Sequence, residues 1–202
     1  DFVAPYLEEI HHPLEEEGVD FWWIDWQQGG ASRTPGLDPL WALNHFHSLD
    51  SARAGRRPLI LSRYAGPGSH RYPIGFSGDT VVTWESLKFQ PEFTACASNI
   101  GYGWWSHDIG GHFGERNEEP YTRWVQFAAT TAAMRLHSGI IPYLDRRPWM
   151  WPEWATDSMR RAFHWRAKYM PYIYGAVHES HNHGLPLNRP MYIDWPREAD
   201  AY

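Results

Sequence analysis

The sequence predicts an α/β fold assembled from βα units around a parallel sheet. Short apolar, strand-like runs alternate with longer stretches of helical period along the 202 residues, the pattern of βα units. A polar residue stands at or just past the end of several of these runs, where parallel βα folds gather their functional groups. The composition, 43% hydrophobic and 21% charged, is that of a chain able to bury a core.

Taken in order, residues 2–17 read as a helix that stops near Gly18, and VDFWWI (19–24) as a buried strand ending on Asp25. LDPLWALNHFHSLDSARAG (37–55) is helical in period, and PLILS (58–62) is a second strand followed by Arg63. TWESLKFQPEFTACASN (83–99) is helical with an interruption at Pro91. GYGWWS (101–106) is a strand leading to Asp108. YTRWVQFAATTAAMRLH (121–137) is helical, as is much of 153–182, and RPMYI (189–193) closes as a strand. No repeat, low-complexity tract or linker divides the chain.

Charge and composition exclude several partners. The net charge is −6 and basic residues occur only in short groups such as Arg56–Arg57 and Arg146–Arg147, which argues against nucleic acid. No apolar run approaches the ~20 residues that span a bilayer, and no signal peptide is visible. The single cysteine, Cys96, rules out an intrachain disulfide and leaves the compartment open. The chain begins at Asp1 inside a helical pattern and reads as a segment of a longer protein.

Histidines offer no local metal motif. HFH (45–47) lies on a helical stretch, where positions i and i+2 point apart. HNH (181–183) reads as a solvated turn before Gly184, and His11–His12 as a helix end. With no HExxH and no cysteine pair, neither a metal nor another cofactor is expected.

Aromatic content is the outlier, with thirteen tryptophans. Trp and Tyr present large rigid faces with a polar handle, suited to stacking on sugar rings as well as to filling cores. On a strand, Trp22 faces away from Trp23 and reads as core. Two acidic loops complete the pattern. RYPIGFSGDTVVTW (71–84) holds Asp79 just before a helix, and SHDIGGHFG (106–114) holds Asp108 before two glycines able to turn tightly against a ligand. Carboxylates on different loops facing one pocket are what glycoside hydrolysis requires. Each aspartate alone also reads as a cap or turn residue.

Four blocks in order resemble glycoside hydrolase family 31, the retaining α-glucosidase and α-xylosidase family. FWWIDWQQ is similar to its W-x-D-M-N-E strand, and SRYAGPGSHRYPIGFSGDTVVTW to its stretch of Arg, R-Y and W-x-G-D. SHDIGGHFG resembles its G-x-D-I-x-G-F block, and RWVQFAATTAAMRLH its R-W-x-Q…R-x-H block. The resemblance implies part, roughly the second half, of a (β/α)8 TIM barrel. Residues 1–202 would be the C-terminal portion of the catalytic domain, truncated on the N-terminal side and at the C-terminal end. It implies Asp25 as nucleophile and Asp79 as general acid/base, with Trp23, Arg63, Asp108, Arg135 and His137 around the sugar. In a retaining enzyme two such carboxyl groups lie about 5–5.5 Å apart.

Departures fall at Trp26-Gln27-Gln28 for Met-Asn-Glu, at Phe76 for a tryptophan, and at His112 for a phenylalanine. Trp26, Phe76 and His112 are all candidates to line the substrate pocket, so the particular sugar stays open. The expected partner is a carbohydrate substrate. The alternatives are a non-catalytic carbohydrate-binding module, which needs no paired acids, and an inactive fragment. A half barrel exposes sheet edges, so the isolated segment is expected to lack activity or to self-associate.

Overall fold

The computed structural model describes residues 2–26, 28–63, 66–72 and 74–202. Gln27, one of the departures above, and Tyr64 of the Arg-Tyr stretch lie outside the described residues. The chain divides into two units, residues 1–76 and 77–202.

The first unit is a βα assembly. Its helical run comprises α1 (Val3–Tyr6), a π-helical turn (Leu7–His11) and α2 (His12–Glu16). His11 and His12 therefore sit within the run, and its end is at Glu16. Strands β1 (Trp22–Ile24), β2 (Ile60–Arg63) and β3 (Ile74–Phe76) pair in parallel, with Trp23 opposite Leu61 and Arg63 opposite Phe76. Helix α3 (Pro39–Ser51) crosses over between β1 and β2. It starts where Asp38 caps the Leu40 amide at 2.7 Å and Pro39 supplies a preset first-turn φ.

Strand alternation sorts the side chains. Ile24 and Ile60 pack with Leu40 of α3 into a buried cluster. Trp22, on the same face as Ile24, donates its indole N–H to Glu15 at 2.8 Å. It is only half-buried, its ring edge-on to His11 at 4.3 Å, so it lies at the margin of the core and not within it. Burial alone would raise the Glu15 carboxyl, but hydrogen bonds from Arg53, Trp22 and Arg56 outweigh it and hold the group at about 2. The opposite face carries Trp23 and Asp25.

His47 of α3 is buried against His11 and Tyr6, and burial, aided by the charge of His11, lowers it to about 4. Between the ordinary histidine value near 6.5 and about 4 the unfolded chain takes a proton there that the folded chain refuses. Stability therefore falls as pH falls through that window, by at most about 1.4 kcal/mol per pH unit from this ring. Urea midpoints of the full-length protein at pH 7 and pH 5 measure the slope. His47→Gln flattens it, and an unchanged slope in that variant would remove His47 as its source.

The second unit holds α4 (Trp84–Ala97), β4 (Trp105–Ser106), α5 (Glu118–Ala128), α6 (Glu153–His183) and α7 (Met191–Asp194). Its core gathers Trp124, Val125 and Tyr121 of α5 with Ala155 and Met159 of α6. Trp124 donates to Gln90 of α4 at 2.6 Å in the buried interior.

Several elements differ from the sequence expectation. Helix α4 continues through Pro91, beginning at a Thr83 cap bonded to the Ser86 amide. Helix α5 ends at Ala128 rather than near 137. There Thr130 and Thr131 turn their hydroxyls onto the carbonyls of Phe127 and Ala128, the local competition that suits threonine to helix ends. HNH (181–183) is the last turn of α6, closed by Gly184 at φ 72°, so it is helix and not turn. RPMYI forms the short helix α7 instead of a strand. Pro190 lacks the N–H a ladder needs and suits a helix start, while Arg189 forks onto Asp194 at 2.9 Å across the turn. Strand β3 is an addition the sequence reading treated as loop, because three residues with a central glycine carry no periodic signal.

No helix among the described residues is long and apolar enough to cross a membrane.

Candidate active site

In the first unit the site is built on the strand face turned away from α3. Asp25 immediately follows β1, and Arg63 ends β2 one step further along the same register. That adjacency lets the Arg63 Nε–H donate to Asp25 Oδ1 at 2.6 Å, with both side chains about four-fifths buried. The Arg63 guanidinium lies 5.3 Å over the ring of Phe76, and Trp23 meets Phe76 edge-on at 6.0 Å. Phe76 is fully buried while Trp23 is about half exposed. Of the two aromatic candidates, Trp23 thus offers the open face and Phe76 supports Arg63 from beneath. Trp26, just past Asp25, is exposed.

In the second unit the alternation recurs. After β4, His107 is buried on the helix side, between the hydroxyls of Ser77 at 2.8 Å and Thr94 at 2.7 Å. Burial lowers it to about 3 and keeps the ring neutral. Asp108 faces the other way. A parallel bridge between Ile109 and Leu136 is fastened by Ile109 N–H to Arg135 O and His137 N–H to Ile109 O. The bridge turns Arg135 and His137 to the side of Asp108. Arg135 donates to Asp108 Oδ1, and the His137 Nε2 lies 3.6 Å from Asp108 Oδ2. Burial pushes the Asp108 carboxyl above its usual range, opposed by Arg135 and His137. Burial likewise lowers His137, opposed by Asp108.

Asp79 lies in the loop after β3, before α4, with its side chain about one-third exposed. His112 joins it to the rest. The His112 amide donates to Thr80 O at 2.6 Å. Its Nδ1 lies 3.7 Å from Asp79 Oδ1 and 3.0 Å from His137 Nε2, and the two imidazoles stack at 22°. His112 is the residue that sequence reasoning named as a departure able to line the substrate pocket, without a role among the catalytic or sugar-binding residues. Its signal was a titratable side chain directly after a glycine pair. The structure gathers Asp79, Asp108, Arg135 and His137 in the second unit, and Asp25, Arg63, Trp23 and Phe76 in the first. A cavity of about 710 Å³ opens beside His137, lined also by Arg146, Trp149, Phe163 and His164.

The glycine pair lets the backbone pack closely on the interior. A Cβ on Gly110, at φ 97°, would stand 2.6 Å from Arg146 Nε and 2.8 Å from Tyr121 Cδ2. One on Gly111 would stand 2.8 Å from Val82 Cγ2. The close approach is thus to the protein's own side chains. Tyr121 in turn donates to Arg146 O at 2.5 Å, and burial lowers the Arg146 guanidinium to about 10. Gly110→Ala meets both a left-handed φ and a buried clash, and is expected to cost about 2–4 kcal/mol in denaturant unfolding. A loss below about 0.5 kcal/mol would mean that Arg146 yields freely.

The fold is that of a parallel βα barrel segment, with Asp25, Arg63 and Asp108 at or just past strand C-terminal ends. The sequence matches the model of the glycosyl hydrolases family 31 TIM-barrel domain over residues 1–176, and the chain belongs to that family. A probable α-glucosidase of Oryza sativa subsp. japonica is 34% identical over 148 residues, which are 73% of this chain and 16% of that protein. An α-xylosidase of Emericella nidulans is 29% identical over 157 residues, 78% of this chain and 20% of that protein. The Flavobacterium johnsoniae GH31 dextranase complexed with glucose superimposes with a TM-score of 0.86 at 22% identity, over 98% of this chain and 28% of that one. A GH31 α-xylosidase from a soil metagenome, complexed with xylose, gives 0.81 at 23%, over 98% and 34%. The two structural likenesses establish the fold. The chain spans about a fifth or less of the length of the curated relatives described here.

Proposed function

We propose that the protein carrying this chain is a retaining glycoside hydrolase, α-glucosidase-like, acting on α-glycosidic bonds by double displacement. A carboxylate of Asp25 attacks the anomeric carbon, the glycosidic C–O bond breaks, and Asp79 gives its proton to the departing oxygen. Asp79, now ionised, takes a proton from water, whose oxygen attacks the same carbon and releases Asp25. Arg63 supports this order of events, because its Nε–H, donated to Asp25 Oδ1 at 2.6 Å, fixes the orientation of the attacking carboxylate. Asp108, Arg135 and His137 would hydrogen-bond the sugar hydroxyls, and Trp23 would wall the ring, with Phe76 behind it.

The observation that carries this reading is the placement of Asp25. It stands at a strand C-terminal end, on the face away from α3, bonded to a neighbouring strand's arginine. A module that only binds sugar needs no second acid such as Asp79 to protonate a leaving oxygen. The test is a panel of aryl α- and β-glycosides offered to the full-length protein. Turnover of an α-glycoside with net retention at the anomeric carbon is expected. Turnover confined to β-glycosides, or an inverted first product, would overturn the proposal. Sugar binding without turnover by any anomer would favour the binding-module alternative.

A further inference from the structure

His112 and the three side chains around it have a second chemistry. Asp79, Asp108, His112 and His137 each offer one donor atom, and these atoms all lie within 4.8 Å of one another. Three of the separations are 3.0 Å (His112 Nδ1 to His137 Nε2), 3.7 Å (His112 Nδ1 to Asp79 Oδ1) and 3.6 Å (His137 Nε2 to Asp108 Oδ2). A tetrahedral zinc with ligands at about 2.0–2.2 Å has donor–donor edges of about 3.3–3.6 Å. Along those three edges the cluster needs shifts of only a few tenths of an ångström, and the remaining edges, all within 4.8 Å, would contract onto the ion. Asp108 adds an independent observation. Its side chain is 1% exposed, and its Oδ2, aimed at His137, has no hydrogen-bond partner among the described residues. A buried carboxylate oxygen left without a donor calls for a cation or a bound hydroxyl.

We infer that Asp79, Asp108, His112 and His137 form a binding site for one divalent transition-metal ion of the zinc class. Two imidazoles and two carboxylates are a nitrogen–oxygen set that suits zinc, and their two negative charges match the ion. Arg135, bonded to the other oxygen of Asp108, fixes that carboxylate's orientation as outer partners of metal ligands do. The donors come from three segments, only Asp108 and His112 sharing one, so no established metal-binding spacing in the sequence announces the set. Neither HFH nor HNH takes part. The consequence for catalysis rests on the hydrolase reading: the ion would occupy atoms assigned to the sugar and to the acid/base group, and so would inhibit competitively.

Equilibrium dialysis of the chelator-stripped full-length protein against zinc, with metal counted by mass spectrometry, tests the site without any substrate. One zinc per chain is expected, and cobalt(II) should give the intense visible bands of a tetrahedral site. His112→Phe should weaken zinc on the order of 100-fold or more, beyond the ~10–100-fold typical of an outer partner. Asp79→Asn, at a partly exposed carboxylate, provides a second loss that folding does not confound. His181→Ala, on the exposed last turn of α6, should bind as the parent does. The inference fails if no saturable zinc is taken up, or if zinc persists undiminished in His112→Phe and Asp79→Asn. Turnover without zinc binding would overturn this inference alone. Zinc binding by a protein whose zinc-free form turns over no glycoside would overturn the hydrolase reading and leave the metal site standing.

Discussion

Asparagine at position 25 is expected to lower turnover of the preferred aryl α-glycoside by on the order of 10⁴-fold or more in the full-length protein. The change is nearly isosteric. Its Oδ1 still accepts the Arg63 Nε–H, which Asp25 holds at 2.6 Å, so the strand ends and the aromatic wall of Trp23 and Phe76 stay in place. What disappears is the anionic oxygen that forms the glycosyl–enzyme bond. Asp25→Gly opens room for azide as an external nucleophile, and the expected product is the glycosyl azide of inverted configuration. Asp79→Ala should separate from it in leaving-group dependence. An activated dinitrophenyl leaving group departs without protonation, so the first step survives while an alkyl glycoside loses about 10²–10⁴-fold. Azide then relieves the second step and gives a product of retained configuration. Should Asp79→Ala slow both substrates equally and ignore azide, Asp79 is not the acid/base. Should Asp25→Asn keep a tenth of the parent rate, the nucleophile lies elsewhere.

The sequence carried the parallel α/β class because βα alternation is a long-range pattern that survives uncertainty at each boundary, while the barrel followed from the family resemblance. Asp25, Arg63 and Asp108 were legible as strand-end residues, and β1, β2 and β4 lie where the apolar runs place them. The failures were of two physical kinds. Where local chemistry competes with periodicity, as at Pro190 or at Thr130 and Thr131, a hydrogen bond or a missing N–H decided the element. Where a side chain acts only through contacts distant in sequence, nothing local marks it. His112 meets Asp79 and His137, 33 and 25 positions away, through a backbone bond from its amide to Thr80 and a glycine turn packed on Arg146. The glycine pair was visible, but its reason was not. A sequence shows that a turn is tight and leaves open which atoms press on it.

Arg135→Met is expected to destabilise the folded protein by about 3–5 kcal/mol at neutral pH, the cost of leaving a buried carboxylate without its cation. Asp108 is fully buried, and its Oδ1 accepts from Arg135 while the Ile109–Leu136 bridge holds both residues in register. Methionine keeps much of the arginine stem's volume, so the loss reports charge and hydrogen bonding more than a cavity. Asp108→Asn alone removes the negative charge and should cost less, about 1–3 kcal/mol, since the amide keeps an acceptor for Arg135. Combined, the two substitutions should fall short of the sum by about 2 kcal/mol, because the second removes the charge that the first left stranded. Urea unfolding of the parent, both singles and the double closes this cycle. An additive result, or a loss under about 1 kcal/mol for Arg135→Met, would mean that water or a neighbouring group replaces the guanidinium. Catalysis supplies the second readout. Under the proposed roles, Asp108→Asn lowers kcat/KM on hydroxylated sugars by about 10²–10³-fold even where the fold is intact. A stable Asp108→Asn protein with parental kcat/KM would leave the Arg135–Asp108 pair a support of the fold and remove it from the sugar site.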